Sequence, residues 1–70
     1  MQQELTIHDF VREAGSVREL AGFLGVDDRK GLLRVAQWAS RGVIPPRAQL
    51  DFAAEWQVLR NRINRKQVAA

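Results

Sequence analysis

Residues 16–26 read SVRELAGFLGV and residues 35–52 read VAQWASRGVIPPRAQLDF; between them they decide the fold. In the first stretch Ser16 and Glu19 have the spacing of a capping box, Val17, Leu20, Ala21 and Leu24 share one helical face, and Gly25 follows where a helix stops. This predicts a short helix that packs closely through Ala21 and turns sharply at Gly25. In the second stretch Val35, Ala36 and Ala39 lie on one side of a helix that ends by Gly42. The segment Val43-Ile44-Pro45-Pro46 is then extended, with Pro46 suited to the first position of a further helix.

Working outward, Thr6-Ile7-His8-Asp9 is a second capping box with Asp in its last place, and Ile7, Phe10, Val11 and Ala14 follow at helical spacing before Gly15. Asp27 and Asp28 offer an N-cap to the central helix, which runs to about Ser40. Gly31 costs about 1 kcal/mol relative to alanine inside a helix and leaves open a start after it. From Arg47 to Arg62 or Arg65 neither Gly nor Pro interrupts, so this stretch reads as the longest helix. Nothing alternates with period two. The expectation is an all-α domain of four to five short helices over residues 1–66, with 67–70 a frayed tail.

The composition is that of a folded globular chain: 70 residues, 46% hydrophobic and 27% charged. With no cysteine there is neither a disulfide nor a thiolate metal site. His8 is the lone histidine, Ser16 and Ser40 have no base nearby in sequence, and Asp27-Asp28 without further ligands reads as a helix start. No catalytic residue, metal site, cofactor or small-molecule ligand is expected. No apolar run reaches the roughly 18 residues of a membrane span, so a soluble, cytoplasmic protein is expected.

The net charge of +3 is unevenly spread. Residues 1–28 carry six acids and two arginines, whereas residues 29–50 carry Arg29, Lys30, Arg34, Arg41 and Arg47 and no acid. On a helix Lys30, Arg34, Gln37 and Arg41 fall within roughly 60° of one another, opposite Leu32, Val35, Ala36 and Ala39. Leu33 and Trp38 flank that stripe, where they would wedge against neighbouring helices. A basic stripe with an amide and no acid suits the major groove, with charge toward phosphates and a bidentate side chain toward base edges. Periodicity alone serves a solvated helix face equally well.

The ordered set of Leu20-Ala21, Leu24-Gly25-Val26, Val35 with Trp38, and Ile44-Pro45 resembles the helix-turn-helix repressors of the Cro and lambda-repressor superfamily, the small phage Cro proteins above all. The likeness covers about residues 6–53, including the opening Thr6-Ile7-His8-Asp9-Phe10. It implies a lambda-repressor-like DNA-binding domain whose second motif helix enters the major groove, a geometry for which lambda Cro is itself a standard example. Carried onto matching positions, Val35 and Trp38 are core residues. Gln37 and Ser40 face DNA, and the basic stripe adds Arg34 and Arg41 as expected base contacts. Ser16 meets a phosphate with help from the Val17 and Arg18 amides, and Arg29, Lys30 and Arg47 approach the backbone. Between Gly25 and Val35 the chain has about four residues more than the usual motif, which lengthen either the turn, leaving Arg29 and Lys30 in a loop near the backbone, or the recognition helix, where Lys30 and Arg34 extend its reading face.

In the last helix Phe52, Trp56, Leu59 and Ile63 recur at 4, 3 and 4 residues, the spacing of a narrow seam. Trp56, Leu59 and Ile63 are therefore expected to meet a second copy. The basic run Arg60, Arg62, Arg65 and Lys66 beyond serves equally as a contact to flanking phosphates or as a solvated tail. Together these readings imply a transcriptional repressor in a phage-infected bacterial cell, blocking a promoter by binding a palindromic double-stranded DNA operator as a homodimer. Two rival functions use the same residues: a small excisionase or other DNA-bending recombination factor, and a helical adaptor that binds a protein through Phe52 to Ile63.

Overall fold

The computed structural model describes residues 5–69, with side chains through Lys66. Five helices make up the described chain, with no strand among its residues: α1 (Ile7–Ala14), α2 (Val17–Phe23), α3 (Arg29–Arg41), α4 (Pro46–Asp51) and α5 (Ala53–Ala69). The all-α expectation therefore holds. α5 continues through Ala69, and Ala70 lies outside the described residues.

Local hydrogen bonds set most boundaries. Asp9 accepts from the Thr6 backbone N–H at 2.8 Å and the Thr6 hydroxyl at 3.1 Å, which fixes the start of α1. Ser16 Oγ accepts from the Glu19 N–H at 3.1 Å and starts α2. The Glu19 carboxylate turns back against Gly15, so the cap at Ser16 rests on its hydroxyl. At the end of α2 the Gly25 N–H donates to the Gly22 carbonyl and the Val26 N–H to the Ala21 carbonyl, a paired closure that requires Gly25 at φ +77°. The turn seen in Leu24-Gly25 is thus formed by backbone bonds.

α3 starts at Arg29, two residues before Gly31, with Asp28 Oδ1 accepting from the Gly31 N–H at 2.9 Å. Glycine is tolerated there because nothing larger fits: a Cβ on Gly31 would run into the Val26 backbone carbonyl. Of the residues between Gly25 and Val35, those from Arg29 onward therefore belong to the central helix.

The uninterrupted helix expected from Arg47 is not formed. It breaks at Phe52, whose dihedrals of φ −118° and ψ 31° separate α4 from α5. The cause lies outside the local sequence. The Trp56 indole N–H donates to the Ala48 carbonyl at 3.0 Å in a buried bond, while the Phe52 carbonyl accepts the first bond of α5 from the Trp56 N–H. Holding the indole on the last carbonyls of α4 folds α4 across the start of α5.

Ile7 and Phe10 of α1, Leu20, Ala21 and Leu24 of α2, Val35 of α3, and Trp56 and Leu59 of α5 form one buried cluster. The ring of Trp56 lies 5.0 Å from that of Phe10, 6.4 Å from Trp38 and 6.5 Å, edge-on, from Phe52. A Lys66–Glu13 ion pair at 3.0 Å closes α5 over α1 at its far end.

Two expectations follow. Alanine at position 31 would gain about 1 kcal/mol in an open helix but is expected to cost about 2 kcal/mol here, because backbone must move. Urea unfolding followed by circular dichroism checks the sign. Asp9 is held below its ordinary 3.8, chiefly by the Thr6 backbone N–H; desolvation opposes this, and the Thr6 hydroxyl, Arg12 and His8 add smaller contributions that lower it further. Its contribution is then present above pH 3.8 and lost as the pH falls through the lowered folded-state value. The stability gap between wild type and Asp9→Asn is expected to narrow over that interval in acid melts.

Candidate nucleic-acid interface

The site is built on the roll of α3. Val35 is fully buried, and at about 100° per residue Leu33 and Gln37, each two positions away, both point about 160° from it. Lys30 and Ser40, each five positions away, point about 140° from it on opposite sides. All four are exposed, forming a centre line along the outer face in the order Lys30, Leu33, Gln37, Ser40. Arg34 and Arg41 flank it on one side; Arg29 and Ala36, also exposed, flank it on the other. The structure thus brings together Arg29, Lys30, Arg34, Gln37, Ser40 and Arg41 on one helix surface.

No acid among the described residues pairs with a cation of α3; the ion pairs there are Lys66–Glu13 and the long Arg47–Asp51 contact at 4.0 Å. Asp28, the nearest carboxylate in sequence, is spent on the Gly31 N–H. Lys30, Arg34 and Trp38 also line a cleft of about 220 Å³ with Val26, Asp28, Gly31 and Phe52. Two cations of this face thus adjoin a groove that Trp38 and Phe52 also line.

Other sequence-predicted residues fare differently. Ser16 and Arg18 are exposed at the start of α2 and Val17 is half-buried. The Glu19 carboxylate folded against Gly15 puts a negative charge at this same end, opposing an anion there. Arg47 is exposed in the first turn of α4 and held only loosely by Asp51. Of the final basic run, Lys66 is paired with Glu13, and the Arg62 guanidinium lies 5.6 Å from the centre of the Phe23 ring. Arg60 and Arg65 are exposed on α5.

The proposed contact with a second copy needs correction. Trp56 is 4% exposed and Leu59 0% exposed within the single chain, so neither is available to a partner. Ile63 and Phe52 are half-buried and pack against the same core. The seam spacing is real, but α1 and α3 fill it from within the chain. An adaptor surface running from Phe52 to Ile63 loses its footing for the same reason.

Two features escaped the sequence reading. Leu33 is no wedge between helices; it is 58% exposed and central to the outer face. Ala36, placed with the apolar side, is exposed as well. The two-residue offset from Val35 was a signal available for Leu33, because it gives the same angle as Gln37. Among the described residues no cluster of His, Cys, Asp or Glu could hold a metal ion, and no helix is long and apolar enough to cross a membrane.

Arg34→Ala and Gln37→Ala are expected to shift folding stability by no more than about 0.5 kcal/mol, because neither side chain is packed. Trp56→Ala removes a buried ring and is expected to cost about 3–5 kcal/mol, unfolding much of the population instead of dissociating a folded dimer. Circular dichroism melts beside sedimentation separate those outcomes. In comparisons with known proteins, no family model, no curated protein and no solved structure matches this chain.

Proposed function

We propose that the chain is a sequence-specific double-stranded DNA-binding protein of the Cro type that lays α3 in the major groove and represses transcription by occupying an operator. The observation that carries this reading is the acid-free outer face of α3, where cations, an amide and a hydroxyl stand exposed on a helix whose roll is fixed by buried Val35. A helix of 13 residues is about 20 Å long, enough to follow the groove past several base pairs. Gln37 and Ser40 on the centre line meet base edges. Arg34 and Arg41 reach base edges or adjoining phosphates from the flank, while Arg29, Lys30 and Arg47 meet the backbone. The α2–turn–α3 arrangement supports the reading, as does the resemblance of its residues to the repressor motif.

Repression by simple occupancy requires only a bound operator, and two copies on a palindrome would double the contacts. With Trp56 and Leu59 in the core, a two-copy arrangement would draw on side chains the single chain leaves outside. Leu50 of α4, 79% exposed, is the most prominent of these.

The test is a selection of binding sites from random duplexes, followed by affinity measurements over a range of salt. A recurring motif, binding that weakens steeply with salt, and a loss on Gln37→Ala confined to particular base pairs are the expected results. Arg34→Ala is expected to reduce the salt slope by about one unit where that side chain meets a phosphate, or to relax one position of the motif where it meets a base. A folded chain that binds every duplex no better than a charge-matched control at low salt would overturn the reading. A single, non-palindromic motif bound by a monomer, with sedimentation unchanged by Leu50→Glu, would remove the dimer and leave DNA recognition standing.

A further inference from the structure

We propose that Leu33 is a specificity-determining residue that reads the 5-methyl group of a thymine, so that the DNA site recognised by α3 includes a T·A pair beside the pair met by Gln37. This rests on the DNA-binding reading of α3. It adds a chemical class of contact that the charged and polar residues of the face cannot make.

The position of the side chain carries the inference. Leu33 lies one turn beyond Lys30 and one turn before Gln37, and its angle from Val35 matches that of Gln37. Its solvent exposure of 58% is therefore at the middle of the face and not at its edge. A lone exposed leucine on a protein surface is ordinary and requires no special cause. Here, however, every other exposed residue of the centre line is polar or charged, and a groove-bound helix brings that line nearest to the bases. Once water is excluded, an isobutyl group there has no hydrogen bond to offer a base edge. The apolar group that the major groove presents is the thymine methyl, which distinguishes T·A from C·G. A Leu33 packed against a cytosine edge would instead cover an amino donor that then loses its water, an additional penalty against the wrong pair.

Uracil tests this cleanly because it differs from thymine by the methyl alone. The probes are duplexes recovered by selection with the wild-type chain, in which each thymine is replaced singly by deoxyuridine. For wild type, one position per bound copy is expected to lose about fourfold in affinity, the value of one buried methyl group. Leu33→Ala is expected to bind the unmodified duplex more weakly and to show no further loss at that position, whereas Leu33→Met restores the sensitivity. Melting of each variant confirms that the fold is intact, as an exposed side chain predicts. If duplexes are recovered and bound but no uracil substitution distinguishes Leu33→Ala from wild type, the thymine assignment is overturned while the DNA reading survives. If selection recovers no duplex at all, the DNA reading falls and takes the assignment with it.

Discussion

The buried indole of Trp56 is the contact on which the rest of the architecture depends. Its ring meets Phe10 of α1, Trp38 of α3 and Phe52 at the α4–α5 break, and its N–H is satisfied by the Ala48 carbonyl. One side chain therefore touches every helix except α2. A buried N–H without a partner would cost about 1–3 kcal/mol, so the hydrogen bond sets where α4 must lie as well as contributing stability. By receiving Trp38 on one side, the same indole helps hold the roll of α3. The outward direction of Leu33 and Gln37 is thus decided in the core, on the opposite side of the helix.

That dependence accounts for what the amino-acid sequence made legible. Thr6 with Asp9, Ser16 with Glu19, Gly25 and Gly42 act over three to five residues, and each marked an observed helix end. The break at Phe52 had no such local mark, because a run without Gly or Pro shows only that a helix is permitted. A tryptophan N–H seeking a carbonyl eight residues back is a tertiary event. Gly31 was ambiguous for a related reason. Its intrinsic propensity argued for a later start, whereas the close approach of the Val26 carbonyl made glycine the residue that fits.

The site was legible in its composition and less so in its geometry. An acid-free run of arginine and lysine between Arg29 and Leu50 is visible without coordinates, and its residues on α3 do share a surface. Which of them lie at its centre follows only from the buried reference, Val35. Measured from there, Arg34 and Arg41 move to a flank, Arg34 beside the cleft lined by Trp38 and Phe52, and Leu33 moves from the margin to the middle. The seam of Phe52, Trp56, Leu59 and Ile63 shows the same limitation from the other side. Spacing identifies an apolar stripe but carries no information about whether the surface opposing it belongs to the same chain.

The resolution of that seam also changes how a chain of 70 residues holds together. A domain of this size buries only about 60% of its unfolded surface, which is a reason, besides the seam spacing, to expect a second copy to share the apolar load. Instead α5, at 17 residues, spans the domain and brings Trp56 and Leu59 onto α1 and α3 near its start. Near its end, Lys66 reaches Glu13, a carboxylate only 9% exposed, and closes the opposite end of α1. Bringing α1 and α5 together over a sequence separation of 53 costs loop entropy, but that cost grows only logarithmically with length. A single long helix can therefore complete the core that two copies were expected to share. Any association of two chains is then free to be weak, and on the proposed reading specificity for DNA depends on the face of α3 instead of on the stability of a dimer.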